Sequence, residues 1–328
     1  MGDQGSIQRY AEYKFGFGQR FFDAYFCDFL IQQYGHEAFV EANDFDALMA
    51  SNPARSDIVN WVGSAVWRGA RLRDMLIERT GPLRSGGQFL DVGCGFGGSL
   101  VAFSSSMAVH GIELDEVRLE ATRALMVDHK ITARVEAVNV LSTEFQEWGP
   151  FDVIMSENVV EHVYDVRAFI HALCSRLAPR GRLILLIPNA EAIQLVAGDP
   201  HYSLEGITLL SHHEAKAFFD QVTGGRDRFG MAYDVGDYYP LDWYLSVLRD
   251  CELSPAAWPD GEISRNTDII EQVDASKLKC DAFLRETMRS RLDRYLTEAR
   301  SMLSSGADFD MRFGCPSWFV VGTKASHS

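Results

Sequence analysis

The segment FLDVGCGFGGSL, residues 89–100, constrains the fold most strongly, because it joins an apolar strand, an acidic residue, a glycine loop and an apolar helix start without a gap. Gly93, Gly95 and Gly98 fit the spacing G-x-G-x-x-G, in which glycines let the backbone turn tightly and approach a ligand at a helix N-terminus. The alternative is a glycine turn that only packs a helix on a sheet. The segments that follow favour a nucleotide-cofactor site.

Acidic residues stand at the ends of the first two predicted strands. Asp91 lies two positions before the first glycine and faces the loop, where it would repel a pyrophosphate. Glu113 ends the second strand about 20 residues beyond the loop, where a carboxylate can accept hydrogen bonds from two ribose hydroxyls. Asp91 therefore counts against a dinucleotide, whereas Glu113 fits both classes of nucleotide cofactor.

Strand and helix signals alternate from residue 86 to residue 189. Residues 151–163, FDVIMSENVVEHV, predict a buried strand, then a change to polar residues from Ser156 to Asn158, and then the start of a helix. Residues 173–189 predict a helix end, a Pro-Arg-Gly turn and an apolar strand. This alternation predicts an α/β fold with a parallel sheet that is covered on both faces.

The rest of the chain adds elements around this core. Residues 1–85 are predicted to be helical, because apolar residues recur at three- and four-residue spacing before a Gly-Pro stop. Residues 190–235 form a polar, aromatic insertion, and residues 236–328 resume the core with a helical insertion at 262–312 and a closing strand. Since insertions after strand ends face the ligand crevice, we expect the N-terminal helices and both insertions to form a lid.

Composition excludes several classes of protein. The 328 residues carry a net charge of −15, and phosphate binding needs basic surface, so a nucleic-acid substrate is not expected. The six cysteines lack C-x-x-C spacing, and the sequence has neither a secretory segment nor an apolar span of about 18 residues. We expect a cytoplasmic protein with reduced thiols that does not enter a membrane.

The motifs between residues 86 and 189 together resemble a class I S-adenosylmethionine-dependent methyltransferase, of the group that includes ubiquinone-biosynthesis and sugar O-methyltransferases. They are an acid, G-x-G-x-G (Gly93, Gly95, Gly97), a second acid, FDVI, a Glu-His pair and an L-x-P-x-G turn. The resemblance implies a Rossmann-like, doubly wound, mostly parallel sheet with an antiparallel last strand. S-adenosylmethionine has a sulfonium cation and an ammonium but no phosphate, so acids beside the loop favour it.

The resemblance also implies a set of cofactor-binding residues. Asp91, Gly93 and Gly95 would line the methionine end, and Glu113 would hold the ribose. Asn139 stands where the family usually has an Asp for the adenine amino group, and its amide oxygen can still accept a hydrogen bond. The remaining residues implied at the cofactor are Cys94, Leu114, Val140 and Glu157.

His162 is the candidate general base. It follows the fourth strand beside Glu161, which can orient it, and an imidazole titrates near neutrality. The alternative is a side chain that only packs or hydrogen-bonds locally. A base is needed only if the acceptor is a hydroxyl or a protonated amine, since positioning alone supplies up to about 7–11 kcal/mol. Cys94 is expected to fill space in the loop, because no base partner is apparent.

The first insertion concentrates polar rings and acids, namely His201, Tyr202, Glu205, His212, His213 and Glu214. Adjacent histidines on one helix point about 100° apart, which is poor geometry for shared ligation, so no metal ion is predicted. His201 and Tyr202 are predicted to contact the substrate, with solvated or locally bonded side chains as the alternative.

The sequence thus predicts a methyltransferase that acts on a small molecule, at oxygen of a sugar or secondary metabolite. N- or C-methylation on the same fold, an NAD-dependent oxidoreductase and a non-catalytic binding module stay open as alternatives. The aromatic stretch between Tyr13 and Phe26 is expected to pack on the main domain, with part of an apolar acceptor pocket as the second possibility. Long amphipathic helices outside the core favour a homodimer.

Overall fold

The computed structural model describes residues 4–227, 230–306 and 308–326 of the chain. Two compact units are distinguished. The first is Met1–Ser156 with Arg176–Gly181, and the second is Glu157–Ser175 with Arg182–Ser328. The four-part division expected from the sequence stays a prediction.

The strands form one seven-stranded sheet in the order β3-β2-β1-β4-β5-β7-β6. β1 is parallel to β2 and β4, and β2 is parallel to β3, whereas β7 is antiparallel to both β5 and β6. The expected Rossmann-like α/β sheet with an antiparallel last strand is confirmed. The strands are β1 (Gly87–Val92), β2 (Met107–Ile112), β3 (Ala133–Glu136), β4 (Phe151–Glu157), β5 (Leu177–Pro188), β6 (Leu253–Asp260) and β7 (Ser317–Lys324).

The central strands are apolar along their length because side chains on both faces are buried, as in parallel sheets covered by helices. Phe89 and Leu90 of β1 and Ile154 of β4 are almost fully buried. The register pairs Asp91 of β1 with Gly111 of β2. The loops that follow β1 and β2 therefore leave the same edge of the sheet.

Helices fill most of the first unit outside the strands. Asp44 and Asp115 cap two of them by accepting hydrogen bonds from the backbone N–H groups of Ala47 and Arg118, both at 2.8 Å. The α-helices are Gln4–Phe15, Gln19–Phe21, Cys27–Tyr34, His36–Glu41, Phe45–Ser51, Ser56–Gly63, Ala65–Thr80, Gly98–Phe103 and Glu116–Asp128. A π-helical turn, Phe22–Phe26, and 3-10 turns, Pro53–Arg55 and Glu144–Glu147, complete this unit.

The two sequence insertions share one hydrophobic core in the second unit. Phe218 and Phe219 of the first insertion are buried in the same cluster as Met288 and Leu292 of the second. Arg291 also pairs with Glu214 at 2.6 Å. The α-helices of this unit are Val166–Ser175, Ile193–Ala197, His212–Thr223, Leu241–Asp250, Asp268–Glu271 and Ala282–Ser305, and its shorter turns are Val160–His162, Ile207–Leu209, Ala275–Lys277 and Asp310–Gly314. Among the described residues, no helix is long and apolar enough to cross a membrane.

Three local details differ from the sequence prediction. The helix expected directly after β4 begins only at Val166, because the short 3-10 turn Val160–His162 comes first. The expected turn at Pro179–Gly181 falls within β5, where Arg180 adopts a left-handed φ of 65°. β3 ends at Glu136, three residues before Asn139, so Asn139 lies on the loop that follows.

Gly98, the third glycine of the G-x-G-x-x-G spacing, brings two helices together. A Cβ at Gly98 would lie 2.1 Å from the carbonyl oxygen of Ala65, and a Cβ at Gly69 would lie 2.6 Å from the backbone of Gly98. Backbone atoms cannot move aside as a flexible side chain does. The packing of the helix Ala65–Thr80 against the helix Gly98–Phe103 therefore requires glycine at position 98, whereas the alternative interpretation of the glycine pattern was a turn that packs a helix on a sheet.

Replacing Gly98 by alanine is expected to lower the free energy of unfolding by about 1–3 kcal/mol, the usual cost of overpacking. Gly198→Ala is the matched control, because a Cβ there meets no atom within 4 Å and the residue has an extended φ of −180°. Urea unfolding followed by circular dichroism compares the two variants. Equal stability of Gly98→Ala and the parent chain would contradict the proposed packing constraint.

Candidate cofactor site and a Glu-His-His cluster

The glycine loop after β1 is held by the end of β2. The backbone N–H groups of Gly93 and Cys94 both donate to the carbonyl oxygen of Ile112, at 2.8 and 3.0 Å. Gly93 and Gly95 adopt left-handed φ values of 75° and 53°. A Cβ at Gly95 would meet no atom within 4 Å, so the loop backbone faces open space at that point. Gly95 thus combines a left-handed turn that suits glycine with room for a ligand.

Glu113 ties this loop to the chain that follows β2. Its side chain is only 8% exposed, its Oε2 accepts a hydrogen bond from the N–H of Gly95 and its Oε1 accepts one from the N–H of Asp115, both at 2.9 Å. Thr122 fixes the loop from the other side by donating to the carbonyl oxygen of Gly95 at 2.6 Å. Asp91 is buried at the end of β1. Two buried carboxylates beside an open backbone suit a ligand with positive charge.

Cys94 fills space in the loop. A Cβ on Gly111 of β2 would lie 2.9 Å from its sulfur, so the thiol packs closely on β2. Burial, followed by the charges of Asp91 and Glu113, raises the pKa of the Cys94 thiol well above its ordinary value. The thiol therefore stays protonated and unreactive at neutral pH.

Apolar side chains lie exposed beside the ends of β2 and β3. Leu114 is 63% exposed and Leu141 is 50% exposed, whereas Val140 is buried. The amide oxygen of Asn139 accepts a hydrogen bond from the N–H of Leu141 at 2.9 Å, which fixes the turn that carries Leu141. The sequence analysis did not identify Leu141. The available signal was an apolar residue two positions after Asn139, the predicted adenine ligand.

Phe96 of the glycine loop packs among aromatic side chains of the first unit. The ring centroid of Phe96 lies 4.7 Å from that of Tyr25, 6.2 Å from Trp61 and 6.3 Å from Phe21. Burial raises the pKa of Tyr25 to about 12. The sequence analysis did not single out Phe96, because its role depends on contacts with residues that are thirty-five or more positions away.

The N-terminal aromatic stretch packs mainly into the first unit. Phe17, Phe21 and Phe26 are fully buried there, as the packing interpretation expects. Tyr13 departs from it, because its side chain is 91% exposed on a surface turn of its helix.

A second group of chemically active side chains lies in the second unit, and we call it the Glu-His-His cluster: Glu161, His162 and His201. One candidate ligand atom from each residue lies within 4.8 Å of the other two. The Nε2 atom of His162 is 4.0 Å from Oε1 of Glu161, and the two imidazole rings are 5.2 Å apart. The cluster joins residues that are thirty-nine positions apart in the chain.

Glu161 is the most deeply buried member. Its side chain is 2% exposed, and its Oε2 has no hydrogen-bond partner among the described residues. Burial raises the pKa of this carboxyl to about 8, a backbone hydrogen bond opposes the rise, and the charges of Asp234 and Glu157 add to it. A buried carboxyl group with an oxygen that no described group satisfies is costly in a folded protein.

The two imidazoles differ in exposure and in bonding. His162 is 34% exposed, and its Nδ1 lies 3.3 Å from the carbonyl oxygen of Asp234. The Nδ1 of the less exposed His201 has no hydrogen-bond partner within the described parts of the chain. Burial, followed by the neighbouring His162, lowers the pKa of His201.

Asp199 builds the turn that presents His201. Its buried carboxylate accepts three backbone hydrogen bonds, from the N–H groups of His201, Tyr202 and Leu204, at 2.8–2.9 Å. Tyr202 in turn donates its hydroxyl to Asp234 Oδ1 at 2.7 Å and accepts from the Asp234 N–H at 2.8 Å. The Tyr202 hydroxyl is therefore already engaged locally.

The other polar residues of the first insertion serve local structure. Nδ1 of His212 lies 2.8 Å from the carbonyl oxygen of Val235. Glu214 accepts hydrogen bonds from the backbone and hydroxyl of Ser211 and completes a capping box. His213 and Glu205 are exposed. Of this set, the structure brings only His201 into the Glu-His-His cluster.

The predicted site residues thus fall into two groups. Asp91, Gly93, Cys94, Gly95, Glu113, Leu114, Asn139 and Val140 belong to the first unit, and Glu157, His162, His201 and Tyr202 belong to the second. Hydrogen bonds connect Glu113 directly to Gly95, and Cys94 and Gly93 share an acceptor.

Asp199→Ala is expected to lower the free energy of unfolding by about 2–4 kcal/mol, because three N–H groups lose a buried acceptor. Faster hydrogen exchange at the amides of His201 and Leu204 is expected as well. Asp220→Ala is the control, since it removes a carboxylate from an exposed pair with Lys216 that is worth at most about 1 kcal/mol. A stability loss no larger than that of the control would show that the turn does not depend on Asp199.

The strand order, the glycine loop after β1 and the buried Glu113 are together typical of a Rossmann-like nucleotide-binding protein. Residues 66–227 match the family model described as a methyltransferase domain. A curated relative, a ubiquinone biosynthesis O-methyltransferase of Caulobacter, is 30% identical over 198 residues, which cover 54% of this chain and 74% of the relative. The protein therefore belongs to the class I S-adenosylmethionine-dependent methyltransferases, and the NAD-dependent alternative is set aside.

Other relatives match shorter parts. The ubiquinone biosynthesis O-methyltransferase of Psychrobacter cryohalolentis is 34% identical over 153 residues, which cover 44% of this chain and 56% of that relative. Among solved structures, the YcgJ protein of Bacillus subtilis has a TM-score of 0.46 at 15% identity, over 78% of this chain and 99% of that chain.

Proposed function

We propose that this methyltransferase transfers the methyl group to an oxygen atom of a small hydroxylated acceptor, a sugar or secondary metabolite. The observation that carries the cofactor half of the proposal is the buried Glu113, whose two oxygens hold the backbone of Gly95 and Asp115. The Caulobacter and Psychrobacter relatives are O-methyltransferases by name, which favours oxygen over nitrogen or carbon.

The residues around the glycine loop fit S-adenosylmethionine, which supplies a methyl group from its sulfonium centre. Glu113 has lone pairs left to accept hydrogen bonds from ribose hydroxyls, since each oxygen receives one bond from the protein. Asp91 supplies negative charge at the end of β1 for the ammonium and the sulfonium. The open space at Gly95 lets the ligand approach the backbone closely.

Leu114 and Leu141 are assigned to the faces of the adenine ring, because both are exposed apolar side chains on turns fixed by hydrogen bonds. Asn139 would bind the adenine amino group with the second lone pair of its amide oxygen. Val140 would support this turn from the buried side. That Glu157, which ends β4 and belongs to the second unit, also binds the cofactor stays a prediction.

The acceptor is assigned to the Glu-His-His cluster. Glu161 and His162 of the cluster follow β4 in the chain, and the cluster combines a buried carboxyl group with two imidazoles, which are groups that can hold or move a proton. The hydroxyl of Tyr202 is engaged by Asp234, so its ring is the part left for an acceptor. Several expectations from the sequence stay predictions. They are that His162 takes the proton as a free base and that the insertions form a lid. They also include a cytoplasmic location, a homodimer and the lack of nucleic-acid binding.

The first test is transfer of a labelled methyl group to a panel of sugars and phenols, with the matching amines as comparison. We expect label in hydroxyl acceptors only. Glu113→Gln should raise the Kd for S-adenosylhomocysteine at least about tenfold, because a hydrogen bond to a charged group is worth about 1.5–3 kcal/mol.

Glu120→Gln is the control for Glu113→Gln, since Glu120 is an exposed acid of the same charge that pairs with Arg123. Isothermal titration should give it the affinity of the parent chain. Label found only on the amines would replace O-methylation by N-methylation. Cofactor binding without transfer to any acceptor would instead support the non-catalytic alternative.

Leu141→Ala tests the adenine assignment. It should raise the Kd for S-adenosylhomocysteine roughly tenfold, because about 1.4 kcal/mol of apolar contact is lost, while stability stays unchanged at an exposed position. Leu303→Ala removes a comparably exposed leucine from the helix Ala282–Ser305 and should leave the Kd unchanged. The same small effect from both variants would remove Leu141 from the site.

A further inference from the structure

The Glu-His-His cluster has the composition of a metal site. It offers one carboxylate and two imidazoles, a ligand set found with catalytic zinc and other first-row transition metals. The sequence analysis predicted no metal ion, because it considered only the histidines and acids of the first insertion. The structure instead combines one of them, His201, with the Glu161-His162 pair after β4.

Two buried polar atoms in the side chains of the cluster lack hydrogen-bond partners among the described residues. Neither Oε2 of Glu161 nor Nδ1 of His201 makes a hydrogen bond to any of the residues that the structure describes. The Glu161 side chain is 98% buried, since only 2% of its surface is exposed. Buried polar atoms are normally satisfied, and an exception at a site of this kind indicates a missing ligand.

The hydrogen bonding of His162 prepares its other nitrogen for ligation. With Nδ1 directed to the carbonyl oxygen of Asp234, Nε2 is the nitrogen that faces Glu161, 4.0 Å from Oε1. Metal-binding histidines commonly donate their second N–H to a backbone carbonyl in this way. The Asp199 carboxylate plays a comparable supporting role for His201 by fixing its backbone.

Charge around the cluster favours a cation. Asp234 and Glu157 both act on Glu161, and a carboxylate oxygen of Asp199 lies 3.8 Å from Nδ1 of His201. Several acidic groups thus surround two imidazoles that are neutral when they bind a metal. A divalent cation at this position would be attracted by the surrounding acids and would favour the ionised form of Glu161.

We propose that Glu161, His162 and His201 bind a divalent transition-metal ion, zinc or a close relative, which receives the acceptor hydroxyl. The proposal rests on the proposed function for its chemical role, not for the site itself. The three candidate ligand atoms lie within 4.8 Å of one another. Zinc–nitrogen bonds of about 2.0–2.1 Å require each of these atoms to move inward by about 1 Å. His162 is able to make this adjustment, because it is partly exposed on a short turn and its bond to Asp234 is long.

Three protein ligands leave a coordination position open for the acceptor. A hydroxyl bound there releases its proton to water more readily, because the cation stabilises the alkoxide or phenolate. The acceptor oxygen then forms a bond to the methyl carbon while the carbon–sulfur bond breaks, and sulfur keeps the electron pair as a neutral thioether. His162 acts as a ligand in this scheme instead of a free base.

The test uses the full chain, freed of metal with a chelator and then titrated with Co²⁺ and, separately, Zn²⁺. We expect one equivalent of Co²⁺ to give the visible absorption of a low-coordinate nitrogen- and oxygen-bound ion, and Zn²⁺ to displace it. His201→Gln and Glu161→Gln should each weaken Zn²⁺ binding at least about 100-fold, since even supporting residues of metal sites are worth 10- to 100-fold. His213→Gln, an exposed histidine of the same insertion, should bind as the parent chain does.

Binding of S-adenosylhomocysteine reports on folding and should persist in the chelated chain and in both variants. If Glu161→Gln loses it, His201→Gln and the parent chain with Co²⁺ still decide the question. Absence of the Co²⁺ absorption, or equal Zn²⁺ affinity in His201→Gln and the parent chain, would overturn the metal site. Stoichiometric metal binding without methyl transfer would contradict the proposed function alone, and transfer that survives chelation would contradict the role of the cation.

Discussion

The contact between Glu113 and the glycine loop is the interaction on which the cofactor site depends. One carboxylate accepts hydrogen bonds from Gly95 and from Asp115, so the same group shapes the loop after β1 and the turn after β2. Asp115 then caps the helix Glu116–Asp128, and Thr122 of this helix donates a hydrogen bond to the carbonyl oxygen of Gly95. A closed circuit of hydrogen bonds therefore fixes the loop before any ligand binds, which lowers the ordering cost of binding.

The core of the fold was predictable from the sequence because its signals are local. Apolar runs, the glycine loop and the acid after β2 each lie within a dozen residues, and the structure places them in the expected parallel sheet. The glycines themselves divide by function in a way that spacing alone does not reveal. Gly95 faces open space, whereas Gly98 is required by the backbone of Ala65, and only the packing of a distant helix distinguishes the two.

The parts that sequence reasoning missed depend on contacts between distant residues. Phe96 is a loop residue whose neighbours come from the N-terminal helices, and Leu141 is notable only because the fold leaves it exposed. The two insertions look independent in the sequence, yet they share a core and the Arg291–Glu214 pair. Periodicity identifies each helix and its apolar face, but not which other helix that face contacts.

Two buried carboxylates of the second unit show how burial alone misleads about function. Asp199 accepts three backbone hydrogen bonds and builds a turn, so its burial is explained by structure. Glu161 is equally buried, but one of its oxygens is satisfied by none of the described residues, and its acidic neighbours oppose its charge. Folding gains little from such a group, because a neutral side chain would fit at lower cost. The position of Glu161 after β4, beside two imidazoles, is therefore best explained by a ligand that its carboxyl group binds.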